Sequence, residues 1–206
     1  KKIILLGLCW AGLAAFGALA DDAKCPVSGK PVDPSVSLNV NGKAVGFCCE
    51  KCQAKFEKDL NVQDAGPSTC QYSGDPADKA TRLLHATTEA VYTCCGKCAK
   101  KYTQQNKISI KDEGAGKCPL SGEQASADSF TVHNGQKVYF CCNKCAAKYV
   151  KENHVIMVNN GPGKCPVSDE EADADNVVYH TKVKAVYFCC DKCAAKYVEK
   201  EIASKL

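Results

Sequence analysis

From Ser35 to Val40 the chain alternates polar and apolar residues, SVSLNV, pauses at Asn41-Gly42 and resumes as KAVGF. Alternation with a period of two, broken by Asn-Gly, is the pattern of a β-hairpin with a two-residue turn. The stretch SFTVHNGQKVYF, Ser129 to Phe140, repeats it. Two related stretches, ending at Thr93 and Phe188, replace the Asn-Gly pair and are one residue longer, and they too are read as hairpins.

Behind each stretch the period changes. CQAKFEKDL, CAKKYTQQ, CAAKYVKEN and CAAKYVEKE are rich in helix formers. Each places a cysteine and an aromatic at i and i+4: Cys52 and Phe56, Cys98 and Tyr102, Cys145 and Tyr149, Cys193 and Tyr197. This predicts four short helices. Three of them run on into a brief apolar stretch, LNVQ, KISIK or HVIMV, expected as a further edge strand.

The pattern therefore occurs four times and accounts for nearly the whole chain of 206 residues. The exception is the N-terminus. Lys1-Lys2, an apolar run from Ile3 to Leu19 and Ala18-Leu19-Ala20 before Asp21-Asp22 have the layout of a secretory signal peptide helix, residues 1–20, with cleavage after Ala20. A retained membrane anchor is the alternative, since about 18 apolar residues just span a bilayer. The rest divides into Cys-rich modules at residues 21–64, 68–112, 116–159 and 163–206, separated by the Gly- and Pro-bearing AGPST, EGAGK and NNGPGK. The expected fold class is α+β, four tandem ββα beads.

Seventeen cysteines are the exceptional feature of the composition. Cys9 lies in the signal segment, and the other sixteen form four sets: Cys25, Cys48, Cys49, Cys52; Cys70, Cys94, Cys95, Cys98; Cys118, Cys141, Cys142, Cys145; Cys165, Cys189, Cys190, Cys193. Each set has a leading cysteine in a turn (CPVSG, CQYSG, CPLSG, CPVSD), a vicinal pair where strand gives way to helix, and a trailing cysteine. A unit of about 45 residues buries too little apolar surface to stand alone, so a staple is required. The second member of the pair and the trailing cysteine form C-x-x-C, whose sulfurs reach one metal at about 2.3 Å, and a helix start favours the thiolate. Zn(II) or Cu(I), about one per module, are the expected ions. Lysines before the trailing cysteine (Lys51, Lys97, Lys144, Lys192) and three after it (Lys55, Lys101, Lys148, Lys196) offset thiolate charge or form a solvated helix face. His85, His133 and His180 recur late in the first strand, but the first module has Asn39 and Val40 there, which reads the histidines as surface residues rather than essential ligands.

A leading cysteine, a gap of 22 or 23 residues, C-x-x-x-C from the first member of the pair (Cys48 and Cys52, for example), and Phe47, Phe140 or Phe188 before the pair resemble the TRASH and YHS-type heavy-metal-binding domains. The resemblance implies a small treble-clef-like unit and roles in metal trafficking, resistance or sensing. The additional vicinal cysteine and the four tandem copies depart from that family's pattern, and the second module, with CQYSG and Thr93, departs furthest.

Oxidation is the competing chemistry, because an exported, cysteine-dense chain is the usual setting for disulfides. It would make the chain a stapled structural or interaction module, as would structural zinc. Other classes are excluded more firmly. The positive charge is carried by dispersed lysines, with Arg82 the only arginine, so nucleic acid is not an expected partner. No module is long enough for the βαβ context of a thioredoxin-like enzyme. The residue after each C-x-x-C is Gln53, Ala99, Ala146 or Ala194, never the histidine of a c-type haem site. No enzyme is expected. The sequence reads as a periplasmic or secreted protein that sequesters, buffers or carries soft metal ions, with a metal transporter or metalloprotein as candidate recipient and no membrane contact after cleavage.

Overall fold

A computed structural model describes residues 23–206. The expected signal segment, residues 1–20, and Cys9 lie outside the described residues. Among the described residues no helix is long and apolar enough to cross a membrane.

The four expected helices are present: α1 (Glu50–Asp59), α2 (Gly96–Gln105), α3 (Asn143–Glu152) and α4 (Asp191–Tyr197), the last continuing through a π-helical turn, Val198–Ile202. Two of the expected hairpins are present as well. β1 (Asp33–Val40) pairs antiparallel with β2 (Lys43–Phe47), and β4 (Ser126–His133) with β5 (Gln136–Phe140). Their turns hold Asn41 and Gly42 at φ 51° and 83°, and Asn134 and Gly135 at φ 50° and 74°. Positive φ at both central residues is what a type I′ turn requires, and Asn-Gly adopts it readily.

The other two hairpins do not form. Their sequences run straight through as single strands of 16 residues, β3 (Asp78–Thr93) and β7 (Asp173–Phe188). In place of Asn-Gly they carry Ala86-Thr87-Thr88 and Thr181-Lys182-Val183, and β-branched residues resist positive φ and favour extended backbone. The two strands pair antiparallel along nearly their whole length, from Asp78 opposite Phe188 to Thr93 opposite Asp173. At the centre Thr87 lies opposite Lys182, the residue at the same place in the fourth segment, and the Thr88 and Thr181 hydroxyls are 2.9 Å apart.

This overturns the expectation of four tandem ββα modules. The protein is mixed α/β, with a curled five-stranded sheet centred on β3 and a separate two-stranded sheet, β4-β5. β7 lies along one edge of β3. The other edge takes β1, parallel at Leu84, and β6 (Ile156–Val158), parallel at residues 87–89. β6 is the expected edge strand of HVIMV. The equivalent stretches after α1 and α2 make only single parallel bridges, Gln63 to Lys184 and Lys111 to Gln136.

The segments are thus interlocked. The turn residue Asn41 is buried against β3: its backbone N–H donates to the Leu84 carbonyl at 2.9 Å and its side chain exchanges two hydrogen bonds with the backbone of Ala86. One apolar core joins Phe47, Phe56 and Leu60 to Leu84, Ala86 and Val183, and a second joins Cys70 and Leu83 to Phe188, Tyr197 and Ile202. Arg82 bonds Glu57 at 2.8 Å and Asp64 at 2.9 Å, tying α1 and the stretch after it to β3. Among the described residues, no core belongs to the second or the fourth segment alone.

Candidate metal centres

Each leading cysteine sits in the same hydrogen-bonded knuckle. Cys25 accepts from the Gly29 N–H at 2.8 Å and donates to the Lys30 carbonyl at 2.8 Å, and the pattern recurs at Cys70, Cys118 and Cys165. The residue four after the cysteine is at positive φ, glycine three times and Asp169 (φ 62°) once. All four leading cysteines are 1% exposed. The vicinal pair follows a fully buried anchor, Phe47, Thr93, Phe140 or Phe188. Its second member is the helix N-cap residue, and the trailing cysteine falls in the first helical turn.

These elements converge on four thiol clusters. The first member of the pair and the trailing cysteine are 3.6 Å apart at Cys48 and Cys52, 3.5 Å at Cys94 and Cys98, 3.7 Å at Cys141 and Cys145, and 3.7 Å at Cys189 and Cys193. The two sulfurs of each pair are 3.7–3.9 Å apart. A metal bound tetrahedrally at about 2.3 Å separates its sulfurs by about 3.8 Å, so these contacts fit the edges of such a site.

Two clusters assemble as the sequence predicts, with Cys25 joining Cys48 and Cys52, and Cys118 joining Cys141 and Cys145, each trio within 4.8 Å. The other two are crossed. Cys70 joins Cys189 and Cys193 of the fourth segment. Cys165 meets Cys94 and Cys98 of the second segment. The turn serines cross with them: Ser28 and Ser121 contact Cys48 and Cys141, whereas Ser73 donates to Cys189 at 3.2 Å and Ser168 lies 3.3 Å from Cys94. The sequence sets Cys70/Cys94/Cys95/Cys98 and Cys165/Cys189/Cys190/Cys193 are therefore not the spatial ones. Exchange of β3 and β7 past each other carries each leading knuckle to the other segment's helix.

The electrostatics follow from crowding. Burial pushes the Cys25 thiol up, but hydrogen bonds from Ser28 and from backbone N–H groups, Cys48 among them, outweigh it and hold it at about 6. Cys165 is held at about 6 by the same balance, burial against Ser168 and the Cys94 N–H. The Cys189 N–H is the largest influence on Cys70 and the Ser121 hydroxyl on Cys118, and both thiols also stand at about 6. Cys52 and Cys145 are pushed up to about 12, first by their contacts with Cys48 and Cys141, and burial does the same to Cys193. At Cys94 the Ser168 hydroxyl pulls down, yet Cys98, burial and Cys165 prevail and raise the thiol to about 12. No side-chain cap hydrogen bond closes at the helix starts, but the trailing cysteine's backbone N–H is the largest influence holding Cys49, Cys95, Cys142 and Cys190 below the usual thiol range. In each cluster the leading thiol and the second of the pair are held low while another thiol is pushed up, because adjacent thiolates repel. A soft cation among them removes that repulsion and is what the donor set suits.

The lysines beside the trailing cysteines are all exposed. Lys55 and Lys148 pair with Asp59 and Glu152 one turn on, and Lys196 lies 5.0 Å over the Tyr72 ring. They form a solvated helix face. His85 is buried, which corrects the surface reading for that residue, whereas His133 and His180 are half-buried, and each of the three meets a tyrosine. The His133 Nδ1 lies 3.0 Å from the Tyr149 hydroxyl, the His180 Nδ1 3.0 Å from that of Tyr102, and His85 bonds Tyr197. The last two contacts are crossed, like the thiols. Each pair locks a strand to the helix bearing a trailing cysteine. The first segment puts Val40 and Phe56 in these places, inside an apolar cluster. The signal was present in the sequence: where the histidine becomes valine, the tyrosine four residues after the trailing cysteine becomes phenylalanine.

Comparison of the chain with protein-family models, with curated proteins and with solved structures found no match. The class of protein is therefore argued from the site itself: a cysteine-rich protein whose four thiol clusters could hold metal.

Proposed function

We propose that this is an exported protein that sequesters, buffers or carries soft metal ions of the Zn(II) and Cu(I) class, about one at each thiol cluster, and that it performs no catalysis of its own. The observation that carries this reading is the gathering of the thiols into four compact groups, the pair and trailing sulfurs in contact at 3.5–3.9 Å, with Cys25, Cys70 and Cys118 within 4.8 Å of theirs and Cys165 against Cys94 and Cys98. Thiolates select soft ions over hard ones. The resemblance to TRASH and YHS-type domains points the same way, and the signal-peptide layout of residues 1–20 gives the expected location, periplasmic or secreted. A transporter or metalloprotein that exchanges metal through its own thiolates is the fitting recipient.

The test is metal per chain by elemental mass spectrometry, with free thiols counted on the same denatured, chelator-treated sample. The reading requires about four ions and about sixteen free thiols. Absence of both metal and free thiols would make the protein a disulfide-stapled interaction module and sink it.

A further inference from the structure

We infer that every thiol cluster has two faces sharing one edge, and that a soft monovalent ion enters and leaves through the outer face. This deepens the proposed function and rests on it. The shared edge is the first cysteine of the pair and the trailing cysteine, 3.5–3.7 Å apart in all four clusters. The inner face is closed by the leading cysteine, 1% exposed. The outer face is closed by the second cysteine of the pair, which is exposed at Cys142 and Cys190 and partly exposed at Cys49 and Cys95.

The four clusters exhibit both faces. Around Cys25, Cys70 and Cys118 the inner trio lies within 4.8 Å. Around Cys94 the outer trio, Cys94, Cys95 and Cys98, lies within the same limit, and Cys165 contacts Cys94 and Cys98. The fixed edge is common to both arrangements, and the leading and second vicinal cysteines alternate as the third ligand. A Cu(I)-class ion satisfied by three thiolates crosses from one face to the other by breaking one metal–sulfur bond and forming one. Its oxidation state is unchanged, and it is never released to water on the way. At Cys142 and Cys190 the outer thiol is the most exposed of its cluster and is the one an incoming ligand from solvent meets first. An ion that takes all four sulfurs, as Zn(II) does, gains nothing from the crossing.

The full chain, loaded anaerobically with Cu(I), is challenged with the chelator bathocuproine disulfonate and release is followed by absorbance. The comparison is a variant with Cys49→Ser, Cys95→Ser, Cys142→Ser and Cys190→Ser. Serine is a preferred N-cap residue, so the helices should survive, as circular dichroism would verify. Release per bound ion is expected to be about tenfold slower in the variant, since the exchanging ligand is lost and the barrier rises. Cys142→Ser alone should give one slow phase, about a quarter of the signal, which keeps the test valid if the fourfold variant fails to fold. Release at the wild-type rate would remove the outer thiol from the exit path. Loss of bound Cu(I) in the variants would make that thiol an obligatory ligand. Either result overturns this inference and leaves metal binding standing. A wild-type chain that takes up no Cu(I) overturns both.

Discussion

The first and third segments close on themselves, whereas the second and fourth close on each other, although all four space their cysteines alike to within one residue. The difference lies in the middle of the strand. Asn41-Gly42 and Asn134-Gly135 accept two consecutive left-handed residues and turn the chain back. Ala86-Thr87-Thr88 and Thr181-Lys182-Val183 continue as strand, and each finds its antiparallel partner in the other. The knuckle, the vicinal pair and the helix are local devices that work equally well in either arrangement. Which knuckle meets which helix is decided by the turn.

The largest expected effect follows from this exchange. A chain ending at Asn160 should lose about two metal ions, not one, because Cys70 then lacks Cys189 and Cys193 while Cys94 and Cys98 lack Cys165. Elemental mass spectrometry reads the difference, and loss of a single ion would restore independent segments. Next is the anchor beside each pair. Phe140→Ala and Phe188→Ala should each destabilise by about 3–5 kcal/mol in urea melts, as fully buried aromatics do. The damage should reach Cys118 in the first case and, across the exchange, Cys70 in the second. Cadmium–thiolate absorbance in single-cluster variants locates it.

The His–Tyr pairs offer a comparison with the first segment. Burial lowers His133 to about 4. Lowered His85, also at about 4, is disfavoured as a cation first by burial and then by Lys184 and Lys205, with Glu201 opposing. Above the unfolded value of about 6.5 this stability is fully present, and it is lost as pH falls through 6.5 toward 4, where the unfolded chain binds the extra proton. Replacing His133 by Val and Tyr149 by Phe, the first segment's combination, should make the acid loss shallower by on the order of 2 kcal/mol. Urea melts at pH 7.5 and pH 4.5 would show it, and an unchanged slope would remove the histidine from the account.

Two smaller effects complete the series. Arg82→Met should destabilise by about 1–2 kcal/mol by leaving Glu57 and Asp64 unpaired, and should loosen α1 from β3 in hydrogen exchange. Asp169→Gly should stabilise by less than about 1 kcal/mol, relieving the left-handed backbone that glycine occupies in the other three knuckles. A melting temperature lowered by this change would show that the Asp169 side chain contributes more than its backbone strain removes.

Much of the local structure was legible. The helices were readable because a cysteine and an aromatic at i and i+4 mark one face, and two hairpins because Asn-Gly imposes its turn regardless of surroundings. The missing Asn-Gly was visible too, at residues 86–88 and 181–183, but its consequence was not: a strand that fails to turn needs a partner, and periodicity does not say which strand that is. The histidine contacts were hidden for a related reason. Their tyrosine partners lie 16 residues away in one case, but 112 and 78 residues away in the two crossed ones.

The sequence alone determined that sixteen thiols stand in four equivalent local settings, because a turn, a strand end and a helix start are built by neighbours along the chain. The tertiary structure alone decided the membership of two clusters, the tyrosine partner of each histidine and the joining of four segments into shared cores. Those depend on pairing between β3 and β7, whose hydrogen bonds run from backbone to backbone and leave no mark in the residues that make them.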